Sequence, residues 1–350
     1  MLFRSYPCGY SCISRNRNCR KPLSGQARTA AEWVAQQESV KQSKGYKGLI
    51  QKAEQRFEKE LKAMDDAIAE SGRRLKSIAA ERTEAIKAIM DVEADLYSLS
   101  NDPNADTRIY LGKKAELIEL KQRFTQLQKM AKDNEQSLVF DACEQLKRSI
   151  LSTADSQESQ RLTDRTRIRP PAKLRPYGVD MYRQELISLH AITGNKVTTL
   201  EEVTYKKQRA YAVNRSDPLP GSPKSGNPGM INVGRAPSKE SQITVFWHEF
   251  GHHLEYSNPE YKQAATEWRN ARATSDKPVK LSALDPFAGY KDDEVALPGR
   301  FIHPYVGKVY ARGSTEVISM GLERFSRPSD MADFYRKDRE HFLLILGMLG

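Results

Sequence analysis

His248, Glu249 and His252 stand in the run Trp247-His248-Glu249-Phe250-Gly251-His252-His253-Leu254-Glu255-Tyr256, which holds three of the six histidines in the chain. Imidazoles four residues apart on a helix lie one turn apart on the same face. Both can then reach one divalent cation. The H-E-x-x-H pattern reads as Zn2+ ligation by His248 and His252, with Glu249 as general base. Zinc lowers the pKa of a bound water towards about 7, so a hydroxide nucleophile forms at neutral pH. Glu249 would take its proton and pass it to a leaving amine. The chemistry implied is hydrolysis of a peptide bond in a protein or peptide substrate. The plain alternative is a polar helix face rich in histidine.

A catalytic zinc needs a third protein ligand and an open position. Four residues compete for the role. Glu255 lies three residues past His252 and stays near its face, but one straight helix rarely gives three ligands to one ion, so it reads as a supporting or surface group. His253 points about 100° away from His252 and would flank a cleft or face solvent. Glu316 opens a mostly apolar run, Val317-Ile318-Ser319-Met320-Gly321-Leu322, where a carboxylate needs a partner to offset its desolvation. Glu323 follows seven residues later on the same face, as a second candidate ligand or a partner for an imidazole. Ordinary salt bridging is the alternative for both glutamates.

The run His248-Glu249-Phe250-Gly251-His252, followed by a glutamate-bearing helix, resembles the gluzincin metallopeptidases, and in particular the anthrax lethal factor type of catalytic domain. The likeness covers residues 225 to 350. It implies that Glu316 is the third ligand. It also implies a tyrosine near the ligand helix that stabilises the oxyanion, a role that falls to Tyr310, with Tyr305 and His303 as alternatives. The spacing from Glu316 to Glu323 is one residue longer than in that family, and the gap from the histidines to Glu316 is longer too.

The elements that must place these groups are partly legible. Ser238 is a good N-cap, and Ile243, Val245, Phe246, Trp247 and Phe250 give the motif helix an apolar face. Met230-Ile231-Asn232-Val233 reads as a strand between glycines. Its edge would suit pairing with an extended peptide. Gly313-Ser314-Thr315 marks the start of the Glu316 helix. His190, in an amphipathic helix from Met181 to Ile192, and His341, near the end of the chain, read as structural or exposed.

Upstream, Phe57, Met64, Ile78, Ala85, Val92 and Leu99 recur at multiples of seven. Leu61, Ile68, Leu75, Ile89 and Leu96 form a second row four residues behind. Together they make the apolar seam of a coiled coil, interrupted at Ser71, Gly72 and Arg82. Turn chemistry at 101–106 separates it from a second helix, which carries Leu117, Leu120, Phe124, Leu127, Met130, Leu138 and Ile150 to residue 151. The pattern predicts an antiparallel helical hairpin. Residues 152–176, with Pro170, Pro171 and Pro176, read as a linker.

The expected fold class is α+β: a basic cysteine-bearing leader over 1–25, a helical hairpin or coiled coil over 26–151, the linker, and a mainly helical zincin-like metallopeptidase domain with a small sheet over 177–350. A short helix is expected around Trp33. Cys8, Cys12 and Cys19 lack a fourth local zinc ligand and read as free thiols in a turn-rich segment. That segment resembles the short cysteine-bearing leaders ahead of effector domains in phage-related proteins. It has no continuous apolar stretch of the secretory kind, so a cytoplasmic or virion-associated protein is expected. No apolar run reaches the roughly 18 residues a membrane helix needs. The net charge of +11 allows attraction to polyanions, yet the basic residues are spread along the chain without a nucleic-acid motif. An acidic protein or assembly partner for the helical arm is favoured over nucleic acid, and the seam offers a route to self-association. The competing whole-protein reading is a structural or interaction protein whose zincin domain is inactive or secondary.

Overall fold

The computed structural model describes residues 5–8, 11–14, 45–169, 178–205, 209–215, 217, 226–234, 236–311 and 313–350, without the side chains of 5–8, 11–14 and 135–137. The chain divides into two compact units, Met1–Lys44 and Gly45–Gly350. In the first, β1 (Ser5–Cys8) pairs antiparallel with β2 (Ser11–Ser14). Cys19, the thiols of Cys8 and Cys12, the expected helix at Trp33 and the prolines at 170, 171 and 176 lie outside the description.

The second unit is mostly helical with a small sheet, an α+β arrangement. It begins with α1 (Gly45–Arg56), α2 (Glu58–Asn101) and α3 (Thr107–Glu135). Helices α2 and α3 run side by side in opposite directions, as the pairs Lys113–Asp95, Lys121–Glu93 and Arg123–Glu81 record. Ile78, Ala85 and Leu127 close the seam between them. Two expectations change here. Ser71, read as a break in the apolar seam, keeps its place there: it is buried, and Asn134 Nδ2 donates to its hydroxyl (2.9 Å) and carbonyl (3.0 Å). Leu75, expected in the seam, is 38% exposed. A strict seven-residue repeat drifts by about 20° per heptad on a straight helix, and a single partner helix covers only one of the two rows.

The second long helix, unlike the first, is not regular throughout. A π turn at Gln136–Phe140 precedes α4 (Asp141–Leu151). One extra residue in a turn rotates the helix beyond it. Val139, Cys143, Leu146 and Ile150 thereby leave the seam and enter the main core, together with Phe57, Leu61 and Met64 from α2.

The stretch read as a linker carries α5 (Ser156–Arg165) and β3 (Arg167–Arg169). Asp155 caps α5, accepting from the backbone N–H of Gln157 and Glu158. Helix α6 (Val179–Ile192) then crosses to β4 (Glu202–Thr204), followed by β5 (Tyr211–Val213) and β6 (Met230–Asn232). The sheet order is β3-β4-β6-β5, with β3, β4 and β6 parallel and β5 antiparallel on the edge. The predicted strand β6 is therefore internal, and among the described strands β3 and β5 are the edges of this sheet.

Next come α7 (Lys239–Ser257) and α8 (Pro259–Arg272), then a β7–β8 ribbon (Val279–Lys280 with Val295–Ala296) around the single turn α9 (Leu281–Leu284). The chain closes with α10 (Val317–Leu322), a 3-10 turn at Glu323–Ser326, α11 (Pro328–Lys337) and α12 (Arg339–Met348). One hydrophobic core runs from Tyr46 to Leu349 and includes residues of α1, α4, α7 and α12. No described helix is long and apolar enough to cross a membrane.

Candidate metal centre

Helix α7 starts where Ser238 Oγ accepts from Ser241 N at 3.1 Å. Asn258 ends it in an extended conformation ahead of Pro259, as a residue preceding proline prefers. Phe246, Trp247, Phe250 and Leu254 are fully buried. Burying each such side chain contributes about 1.5–3 kcal/mol. Trp247 Nε1 also donates to Glu185 Oε2 on α6 at 2.7 Å. A helix fixed in this way holds His248 and His252 on one face, with ring centroids 5.2 Å apart.

Helix α10 crosses α7 at close range. A Cβ on Gly251 would lie 2.6 Å from Ser319 Cα, so glycine alone allows the backbones this near. On its far side α10 is supported by α12: a Cβ on Gly321 would fall 2.4 Å from Ile345 Cγ1, and His341 Nε2 donates to Val317 O at 2.8 Å.

The crossing delivers Glu316, at the N-cap of α10. One oxygen, Oε2, lies 3.2 Å from His248 Nε2 and 3.3 Å from His252 Nε2. One donor atom from each of the three residues falls within 4.8 Å of the others. Two ligands held about 2.1 Å from a tetrahedral zinc are themselves about 3.4 Å apart, so the two nitrogen–oxygen distances match an edge of that shell. The donor set of two imidazoles and a carboxylate also suits zinc. His248 Nδ1 faces Glu323 Oε2 at 2.9 Å. With its proton on Nδ1, His248 donates to Glu323 and leaves the Nε2 lone pair free to ligate, an arrangement common behind metal-bound histidines.

Glu316 is fully buried. Ser319 Oγ donates to its Oε2 at 2.7 Å, and the Tyr310 hydroxyl donates to Oε1. Burial would raise the Glu316 carboxyl, but the charge of His252 and hydrogen bonds from both imidazoles outweigh it and hold the pKa well below the usual range. In the same exchange, burial would lower His248, and its hydrogen bonds to Glu316 and Glu323 hold it well above its ordinary value. His252 is raised likewise against its burial, chiefly by the charge of Glu316. Glu249, beside them and 6% exposed, is raised by burial. A carboxyl shifted in that direction is suited to taking and returning a proton near neutral pH.

These groups lie in a cleft of about 900 Å³ whose walls include β5, Val233 and Tyr310. Along one wall, Tyr305 Oη accepts from Arg209 Nη2 (2.7 Å) and Lys308 Nζ (2.9 Å). Lys308 also pairs with Glu294 at 2.6 Å and sits 4.7 Å from the Tyr310 ring centroid. Burial pushes the phenols of Tyr305 and Tyr310 upward, so both stay protonated and able to donate.

The other sequence candidates take different places. Glu255 is buried and turns to Thr315 rather than to the imidazoles. Glu323 reaches only the far nitrogen of His248. His253 is not surface: it is fully buried, with Nε2 at Met230 O (3.1 Å) and Nδ1 at Thr199 Oγ1 (3.0 Å), tying α7 to the sheet. Burial lowers its pKa to about 4. His303 caps the turn at Pro304–Gly307 and does not line the cleft. His190 packs edge-on against Phe250, and His341 lies tilted at 31° over Trp268, both buried. Arg209, Lys308 and the edge strand β5 carry no motif and are found only through the fold. Comparison with family models, with curated proteins and with solved structures returns no match.

Proposed function

We propose that this protein is a zinc-dependent endopeptidase with a zincin-like catalytic region and a coiled-coil hairpin as a docking arm. The observation that carries the reading is the convergence of His248 Nε2, His252 Nε2 and Glu316 Oε2 on one point, with Glu249 adjacent. Bound there, Zn2+ would supply Lewis-acid polarisation of the attacking water and of the scissile carbonyl.

The chain's own residues supply the rest. Glu323 keeps the proton on His248 Nδ1, which orients the imidazole for ligation. Ser319 and Tyr310 hold the Glu316 carboxylate. Glu249 takes a proton from the attacking water and delivers it to the leaving nitrogen. Tyr310 would turn its hydroxyl from Glu316 to the carbonyl oxygen as negative charge builds there, leaving Ser319 to hold the carboxylate. The outer edge of β5 would pair with the backbone of an extended substrate, so that affinity comes from the main chain.

A second reading has its own support. Met90, Tyr97, Ile109, Leu111 and Ile118 are exposed on α2 and α3, which favours a hairpin that binds a protein partner, the zinc region being secondary. Metal analysis and a broad peptide library, run on the wild type and on E249Q, separate the two. The peptidase reading expects one zinc in each protein and cleavage by the wild type alone. A zinc-loaded wild type that cuts nothing favours the interaction protein, and a wild type without zinc ends the peptidase reading.

A further inference from the structure

Glu255 is 1% exposed and lies on α7 one turn beyond His252. Removing a carboxylate from water costs several kcal/mol unless hydrogen bonds replace the solvent. Among the described residues its hydrogen bonds come from a single residue. Thr315 N donates to Oε1 at 2.9 Å and to Oε2 at 3.3 Å, and Thr315 Oγ1 donates to Oε2 at 2.6 Å. Thr315 is itself fully buried and immediately precedes Glu316. The six residues of α10 provide few internal hydrogen bonds to fix their own first turn, since the first four N–H groups of any helix lack an intrahelical acceptor.

We infer that Glu255 is a positioning residue that holds the Thr315–Glu316 backbone against α7, so that one rigid helix both carries the two imidazoles and sets the place of the third donor. The inference rests on the reading of His248, His252 and Glu316 as a metal centre. Ser319 and Tyr310 orient the Glu316 carboxylate, whereas Glu255 fixes the main chain from which it projects. Glu255 touches neither the ion nor the substrate.

The test measures zinc affinity by competition with a chromophoric chelator, the d–d spectrum of the Co2+-loaded protein, and folding by circular dichroism. Four chains are compared: wild type, E255Q, T315V and T315S. T315V removes the hydroxyl donor at nearly constant volume. T315S retains both donors. Losing a group that orients a ligand typically weakens metal binding about 10–100-fold, and that loss is expected for E255Q and T315V, together with an altered cobalt spectrum. T315S should match the wild type in both readouts. A general loss of packing would not produce the Ser/Val contrast. If E255Q does not fold, T315V decides. Folded T315V with wild-type zinc affinity and an unchanged cobalt spectrum overturns the inference while leaving the metal centre intact. A wild type that takes up neither ion overturns the metal reading itself, and this inference with it.

Discussion

Gly251 and Ser319 meet backbone to backbone: a Cβ at 251 would come within 2.6 Å of Ser319 Cα and 3.1 Å of its N. The glycine between the two histidines thus sets how near Glu316 can come to them. Replacing it with alanine should push α10 outward, at about 1–3 kcal/mol for overpacking. A displacement of about 1 Å at a catalytic centre can cost ~10²-fold in rate. We expect G251A to lose zinc affinity and activity together, read by metal content and peptide cleavage. Full zinc loading and wild-type turnover in G251A would show that the crossing has slack.

Tyr310 gives a sharper contrast. Its hydroxyl donates to Glu316 and faces the cleft, but it is not one of the three proposed metal donors. Y310F should retain zinc and lose about 10²–10³ in kcat, the usual effect of removing one oxyanion donor. KM should move little, because the interaction is made chiefly in the transition state. A loss of metal instead would show that Ser319 alone cannot hold Glu316 once the tyrosine hydroxyl is gone.

Metal uptake should release protons. In the metal-free chain His248 and His252 are held protonated above their ordinary range by Glu316 and, for His248, Glu323. Zinc requires the neutral imidazoles, so ion and proton compete. Affinity should therefore fall as pH drops, and protons released per zinc should diminish as pH rises beyond the raised imidazole values. Calorimetry in buffers of different ionisation heat measures the count. A count of zero at neutral pH contradicts the shifts.

Stability should show a separate acid limb. Burial lowers His190 and His341 to about 4, against about 6.5 in an unfolded chain. Between those values the unfolded state binds more protons, so stability rises with pH across the window and is lost as pH falls through it. The full effect below the window is about 3 kcal/mol per imidazole. Both ring nitrogens of His190 lack a hydrogen-bond partner among the described residues, so H190Q removes a titration at a site with no bond to break. Denaturant midpoints of the metal-free wild type and H190Q should draw together, or cross, as pH falls from 7 to 4. Parallel curves would assign the acid limb elsewhere.

The histidine pair is legible because its constraint is local: two residues four apart on a helix that Ser238 caps. Glu316 lies 64 residues past His252 in the sequence, and its approach depends on Gly251 and on the support of α12. Residue spacing alone carries no trace of either. The two long helices α2 and α3 show in the heptads, but the π turn at Gln136–Phe140 does not, since a single inserted residue leaves the apolar count unchanged. Helix α5 reads as linker because its buried residues are Ser159 and Thr163. Their hydroxyls donate to the carbonyls four residues back, at 2.9 Å each, so they are buried without the apolar signature that marks a packed helix. Arg209 and Lys308 are two of 56 lysines and arginines, with nothing local to single them out.

The continuous core has a practical meaning for anyone dissecting the molecule. Lys147 on α4 lies 5.1 Å from the ring centroid of Trp247, the neighbour of His248, and donates to Ser326 O at 3.3 Å. Leu49 O on α1 sits where a Cβ of Gly347 would reach it at 2.1 Å. A fragment cut at residue 177 to isolate the C-terminal region would lose the floor beneath the His248–His252–Glu316 cluster and expose a greasy scar in its place. Such a piece is expected to precipitate, whereas a chain trimmed only at the far tip of the α2–α3 arm should stay in solution.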